Sequence, residues 1–421
     1  MESLFCFYVG IDWATQNHEI CLIDADGKTI KQKTIEHSGS GIAQLIDWLE
    51  QTCGGDRKCV AVGIEIPHGA IVESLSEKEF AVFSINPKQL DRFRDRYSVS
   101  GAKDDSRDAF VLAASLRTDR SCFHRVCIDD SRIIRLRELS RFDDDLDREM
   151  TRLTNQLREQ LIRYYPQMLH LGSVVDDPWI WDLLELVPTP QQGHNLTRAR
   201  AEAMLRDHRI RRITSADIIE KLGVAELRLA PGAMESASEH MLFLLPQLRL
   251  IHQQRLEVAR RIQKILKDLS ISSGENAGKD KSLDAHVLLS LPGVGIRVAA
   301  TILTEASQCL AERDYRALRC YGGTAPVTRQ SGKTKTVLMR RGCNNRLRDA
   351  LYHWARVSIQ KDRHSREHYD SLRHAGHGHT RALRGVSDRW LAVLIAMLKT
   401  GNLYDPDRRK QKPIHTRMAT A

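Results

Sequence analysis

Four acidic residues stand where carboxylates could gather around one phosphodiester. Asp12 closes the apolar run FCFYVGID, and Glu65 closes a second, CVAVGIE. Asp105 and Asp108 lie three apart in KDDSRDAFVLAASL, which opens a segment with helical periodicity, so both project from one helical face. Carboxylates at two strand ends and on one helix supply the hard oxygen ligands that Mg2+ or Mn2+ prefers. Two such ions can clamp the attacking and the leaving oxygen of a phosphodiester. Asp12, Glu65, Asp105 and Asp108 are therefore the candidate metal ligands, with Mg2+ (or Mn2+) as cofactor. Singly, Asp12 or Glu65 reads as an ordinary strand-end residue; convergence of all four is what gives them a role.

A second constellation lies in CYGGTAPVTRQSGKTKTVLMRR, residues 320–341. Ser331 stands among Arg329, Lys333 and Lys335, with Arg340 and Arg341 following. A serine hydroxyl is a weak nucleophile unless its proton is removed and the developing charge is stabilised. Nearby cations could hold a scissile phosphate and offset the charge of its transition state. By composition alone a Ser-Gly pair is more often a turn. In LPGVG, Gly293 and Gly295 separate two helical runs in the manner of a helix-hairpin-helix, whose turn offers backbone N–H groups to a phosphate. The competing reading is a tight turn with glycine chosen for positive φ. Late histidines (His364, His368, His374, His377 and His379) read as a polar loop rather than a site.

The elements that must position these groups follow from periodicity. Residues 6–35 read as strands joined through an Asp-Gly turn, residues 40–52 as an amphipathic helix and residues 59–65 as a strand. A helix near 69–78, a strand at 81–85 and a helix over 105–117 come next. That order predicts a mixed sheet with helices on its faces, as in ribonuclease-H-like (RuvC-like) folds. Over residues 129–166, Leu136, Leu139, Leu146, Met150, Leu153, Leu157 and Tyr164 form a heptad stripe interrupted by Asp143 and Gln160. A second stripe runs from Met241 to Leu269, broken by Arg255. Two long helices of similar length predict an antiparallel coiled-coil stalk, residues 129–273, that offers a surface for homo-oligomer formation. Residues 171–235 read as a small helical region inserted between them. A linker over 269–282 leads to a mostly helical C-terminal domain, 283–400, and to a basic tail, 401–421, expected to be disordered. The fold class is thus α/β plus α, with residues 1–128 as the first domain.

Charge sharpens the division. Of 421 residues, 313–421 hold 24 Lys and Arg against 8 Asp and Glu, while the whole chain carries only +10. A cationic last quarter attracts a polyanion, most simply nucleic acid. Nine cysteines without a CxxC pair argue against structural zinc and for reduced thiols in a cytoplasmic protein. The start, MESLFCFYVGID, has no signal-peptide pattern, and WLAVLIAML is too short for a membrane span.

YVGIDWAT, GIEIPHG, INPKQLDRFR, KDDSRDA, LPGVG, YGGTAPVTRQSGK and RRGCNNRLRDALYHWAR occur in this order. As a set they resemble the insertion-sequence transposases that pair an N-terminal DEDD domain with a C-terminal serine domain, some of which are called bridge-RNA-guided recombinases. The resemblance covers residues 6–120 and 283–362. It implies that Asp12, Glu65, Asp105 and Asp108 are the four acidic positions and Ser331 the nucleophile of DNA transesterification. It also implies a noncoding guide RNA, DNA at element ends and target, a dimeric to tetrameric assembly, and nucleoid association. No role carries over to the insertion. Three other readings compete. A Holliday-junction-resolvase-like nuclease would use the tetrad with water. A sugar kinase or actin-like ATPase would use GIDWAT as a phosphate loop. A nucleic-acid-binding scaffold would leave the acidic residues unexplained.

Overall fold

The computed structural model describes residues 5–97, 104–126, 130–172, 175–230, 232–271, 279–332 and 334–407; for residue 88 and residues 279–282 only the backbone is described. The chain divides into two compact units, Met1–Asp129 and Asp130–Ala421.

The first unit is built on a six-stranded mixed sheet. Its elements are β1 (Phe7–Asp12), β2 (Asn17–Asp24), β3 (Thr29–Glu36), α1 (Gly39–Thr52), β4 (Val60–Ile64), α2 (Ala70–Glu77), β5 (Ala81–Ser84), α3 (Pro87–Arg94), α4 (Asp105–Thr118) and β6 (His124–Arg125). Strand order is β3-β2-β1-β4-β5-β6, with β1, β4 and β5 parallel and β2, β3 and β6 antiparallel to their neighbours. Gly27, at φ 90°, makes the expected Asp-Gly turn between β2 and β3. Alternation then sorts the side chains. Val9, Ile11, Val60, Val62 and Ile64 face α1 and α2, where they pack with Leu45, Leu49, Ile71 and Leu75. Ala61, Phe83 and Cys21 face α4, against Val111, Leu112, Leu116, Ala109 and Ala113. Two elements were not expected. Mostly polar α3 buries Leu90, and β6 has only two residues.

The second unit is mostly helical. Its two long helices, α5 (Ser131–Tyr164) and α10 (Ala233–Ile271), pack antiparallel: Met150, Leu153 and Leu157 meet Met241, Leu244 and Leu248, while Ile133 and Leu136 share a core with Ile262, Ile265 and Leu269. The stripes therefore bury each other. Of their polar interruptions, Asp143 and Arg255 are paired within the unit, whereas Gln160 Oε1 is buried without a hydrogen-bond partner among the described residues. Asp143 accepts from Arg297, with a closest approach of 2.8 Å, and Arg255 is bonded to Asp147. Burial pushes the Asp143 carboxyl up, and Arg297 and Arg255 oppose that push.

Between the long helices lie α6 (Pro178–Leu186), α7 (Pro190–His194), α8 (Arg198–Asp207) and α9 (Ser215–Leu222), packed around Trp179, Trp181 and Ile218. After them come α11 (Lys279–Ser290), α12 (Ile296–Glu305), α13 (Ser307–Ala311), α14 (Tyr315–Tyr321), a hairpin of β7 (Val327–Ser331) and β8 (Thr334–Leu338), α15 (Asn345–Lys361), α16 (Arg363–His374) and α17 (His379–Thr400).

Three expectations change in this unit. The stalk is not a body of its own, because the ends of α5 and α10 share one core with α11, α12, α15 and α17. The linker is shorter than 269–282, since α10 runs through Ile271 and α11 starts at Lys279. Part of the tail is docked: the Tyr404 ring lies 5.5 Å from that of Trp390, and its backbone N–H donates to Ser290 Oγ at 3.1 Å. Residues 408–421 lie outside the described residues. Among the described residues no helix is long and apolar enough to cross a membrane.

Candidate active site

A glycine contact places the acidic residues. A Cβ at Gly10 would fall 2.6 Å from the amide nitrogen of Ala113 and closer still to the Ala109 carbonyl, so α4 crosses β1 with backbone against backbone. Gly63 lies opposite Gly10 in the β1/β4 register, and its Cβ would meet Leu116 and Leu112. Asp12 is two residues beyond Gly10, and Glu65 two beyond Gly63. Both carboxylates thus leave the sheet on the face that α4 covers, at the C-terminal ends of adjacent parallel strands. Glu65 itself is one residue past the end of β4.

Helix α4 begins with a division of labour between neighbouring aspartates. Asp104, in extended backbone, is the N-cap, and its carboxylate accepts from the N–H of Ser106. Asp105 and Asp108 fall in the first turn, where the helix dipole favours negative charge. Asp105 is exposed, whereas Asp108 is 1% exposed. Asp108 is gripped at both oxygens: Arg94 Nε donates to Oδ1 at 2.7 Å and Arg94 Nη2 donates to Oδ2 at 2.8 Å. Arg94, at the end of α3, also bonds Asp91. The sequence reading missed Arg94, although it closes the quoted run INPKQLDRFR. It also missed Glu19, which sits opposite Asp12 on β2 and accepts from Thr34 Oγ1 at 2.6 Å.

All four candidate ligands are carboxylates, which suits a hard divalent cation. Among the described residues, however, no group of three or more His, Cys, Asp or Glu side chains is assembled to hold a metal ion. The fold brings Asp12, Glu65 and the start of α4 to one end of one sheet face, with Asp108 turned to Arg94.

Beside Asp12, a buried histidine fixes the β1–β2 connection. The N–H of Ala14 donates to His18 Nδ1 at 3.3 Å, and His18 Nε2 lies 2.9 Å from His37 Nδ1. That chain requires a neutral His18 with its proton on Nε2. Burial, and then the neighbouring His37, hold the His18 pKa below the ordinary value.

In the second unit, Ser331 ends β7 and pairs with Thr334, and Gly332 follows it at φ 54°. The serine is therefore exposed at the tip of a two-stranded hairpin. Alternation puts Arg329 on the face of Ser331, together with Thr334 and Thr336, and puts Lys335 on the other face with Gln330. Lys333 lies outside the described residues. Arg340 donates to the Ala325 carbonyl at 3.3 Å across the hairpin base, and Arg341 is exposed.

The base is anchored by groups without a sequence signature of their own. Arg319 forks onto Asp388 at 2.9 and 2.6 Å, and Thr324 Oγ1 donates to the same carboxylate. Glu305 accepts from Asn344 Nδ2 at 2.8 Å and from Arg346 Nη1 at 3.0 Å. The two LPGVG glycines differ. Gly293, at φ 83°, is pressed against the α15 backbone at Ser358, which is the packing role. Gly295 is the N-cap of α12 and meets open space, so the N–H groups beside it remain presentable to a phosphate.

Comparison with known proteins follows the same division. A DEDD-type IS110 family model described as "Transposase" matches residues 9–166, and one described as "Transposase IS116/IS110/IS902 family" matches residues 285–370. The "Mini-circle putative transposase for IS117" of Streptomyces coelicolor is 31% identical over 416 residues, 97% of each chain, and so spans the inserted helices as well. "Putative transposase y4uE" of Sinorhizobium fredii is 47% identical over 208 residues, covering 49% of this chain and 57% of that protein. The "Insertion element IS110 uncharacterized 43.6 kDa protein" of Streptomyces coelicolor is 27% identical over 405 residues, 94% of this chain. The chain belongs to the IS116/IS110/IS902 family of insertion-sequence transposases, enzymes that cut and rejoin DNA.

Proposed function

We propose that this transposase recombines DNA by serine transesterification, with Asp12, Glu65, Asp105 and Asp108 holding Mg2+ or Mn2+ and Ser331 as nucleophile. One observation carries the acidic half of this reading: the Gly10–Ala109 contact puts the start of α4 on the sheet face from which Asp12 and Glu65 emerge. We read the first unit as ribonuclease-H-like, in keeping with its strand order. A bound divalent cation would supply charge to polarise the phosphate. Ser331 Oγ attacks phosphorus as the bond from phosphorus to the deoxyribose oxygen breaks, leaving a serine–DNA phosphodiester. A deoxyribose hydroxyl then attacks that ester and regenerates the serine. Each step exchanges one phosphodiester for another, so no ATP is needed. Arg329, on the serine's face, binds the scissile phosphate, and Lys333, Lys335, Arg340, Arg341 and the turn at Gly293 and Gly295 hold the flanking backbone.

The resemblance to bridge-RNA-guided recombinases supports a noncoding RNA that pairs with donor and target DNA, leaving sequence choice to base pairing. It also supports a dimer to tetramer in which one protomer's acidic unit serves another's serine. Because the heptad stripes bury each other, association through the long helices would use what they leave exposed, such as Leu242, Phe243 and Leu250.

The test is a denaturing gel of end-labelled element DNA incubated with protein, guide RNA and Mg2+. Protein-linked DNA is expected from the wild type and not from Ser331→Ala. An undiminished adduct in that variant removes the serine. Free ends without protein indicate water as nucleophile, as in a junction-resolving nuclease.

A further inference from the structure

Arg94 is a cation bound to the acidic cluster, and it sits where a metal would need the carboxylate. Its guanidinium spans both oxygens of Asp108, a parallel two-bond grip that is among the stronger ion-pair geometries. The carboxylate it holds is almost fully buried, with 2% of its side chain exposed. Burying a carboxylate is costly unless it is paired, and Arg94 supplies the pairing here. A divalent cation drawing on Asp108 would stand within a few ångströms of the guanidinium, and the two positive charges would repel. Arg94 and a metal at Asp108 are therefore alternatives.

Arg94 also has somewhere to go. Its side chain is 27% exposed, and its third contact, Asp91, lies on the same helix and is 64% exposed. Asp91 therefore offers Arg94 a solvent-facing partner on its own helix, apart from Asp108.

We propose that Arg94 is a displaceable counter-ion: it occupies both oxygens of Asp108 before metal binds and yields the carboxylate when the cation arrives. This rests on the metal role of Asp12, Glu65, Asp105 and Asp108 and adds how loading of that site is controlled. The free protein has a weakened affinity for divalent ions, because only the fraction with Arg94 swung away can bind fully. Arg94 is a positioning residue and does not touch the reacting phosphate.

The test uses full-length protein and Mn2+, without nucleic acid. Mn2+ affinity is measured by calorimetry, and thermal unfolding is recorded in chelator and in saturating Mn2+. Arg94→Gln is expected to unfold at a lower temperature than wild type in chelator. It should recover most of that loss with Mn2+ and bind Mn2+ about tenfold more tightly, as removal of a competing closed state requires. Arg94→Lys, which keeps the charge and loses the fork, is expected to fold like wild type and to bind Mn2+ with intermediate affinity. If wild type binds Mn2+ in an Asp12-dependent manner and both variants bind no more tightly, Arg94 is a structural partner only and the exchange is overturned. If none of the three binds Mn2+, the metal reading falls together with it.

Discussion

A methyl group at Gly10 would be driven into the backbone of α4, and that intolerance keeps Asp12 beside the start of the helix. Gly10→Ala is expected to lower stability by about 1–3 kcal/mol, the usual cost of overpacking a tight contact, and to weaken Mn2+ binding, as read by urea unfolding and calorimetry. His18 makes a separate demand at the same strand end. Its folded pKa lies below the ordinary value, so the unfolded chain takes up its proton first as pH falls. The stability it contributes is complete above about pH 6.5, the ordinary histidine value, and is lost as pH falls through the depressed folded value. Thermal unfolding between pH 8 and pH 5 should show this slope, and His18→Gln should flatten it. The positions of Asp12 at a strand end and of Asp105 and Asp108 in a helix's first turn were legible from the apolar runs beside them. Asp104 and Asp105 are separated by their backbone: the first is extended and caps the helix, the second is inside it. Arg94 was not legible as a partner, because it lies 14 positions from Asp108 and only packing of α3 beside α4 brings them together.

Legibility at the element scale depended on whether a segment has a buried face. The helices α5 and α10 follow a clear apolar period because each buries a stripe against the other. Leu157→Ala, in that buried seam, is expected to cost about 2–5 kcal/mol, measured by urea unfolding. Phe243→Ser is expected to leave monomer stability unchanged, since Phe243 is 73% exposed, and to shift the mass in solution toward monomer in analytical ultracentrifugation. The β7–β8 hairpin had no such signal. Apart from Val327, which is partly buried, its described residues are exposed, so there is no alternation of apolar and polar side chains to read. The four inserted helices have five to ten residues each, too short for a helical period to stand out.

For the whole molecule, charge and fold are divided in the same way. The sheet unit carries the candidate metal ligands and is net negative, and the helical unit carries the serine and all of the excess positive charge. Two compact units predict two unfolding transitions in calorimetry of the full chain, with Gly10→Ala lowering one of them and Leu157→Ala the other. The most direct measurement of carboxylate convergence is iron-mediated cleavage: Fe2+ replaces Mg2+, ascorbate and peroxide generate radicals at the metal, and the cut peptides are mapped by mass spectrometry. Cuts clustered near residues 12, 65 and 104–108, and lost in Asp12→Asn, are expected. Cuts confined to the histidines between 364 and 379, or absent from the sheet unit, would contradict a metal centre built from these carboxylates.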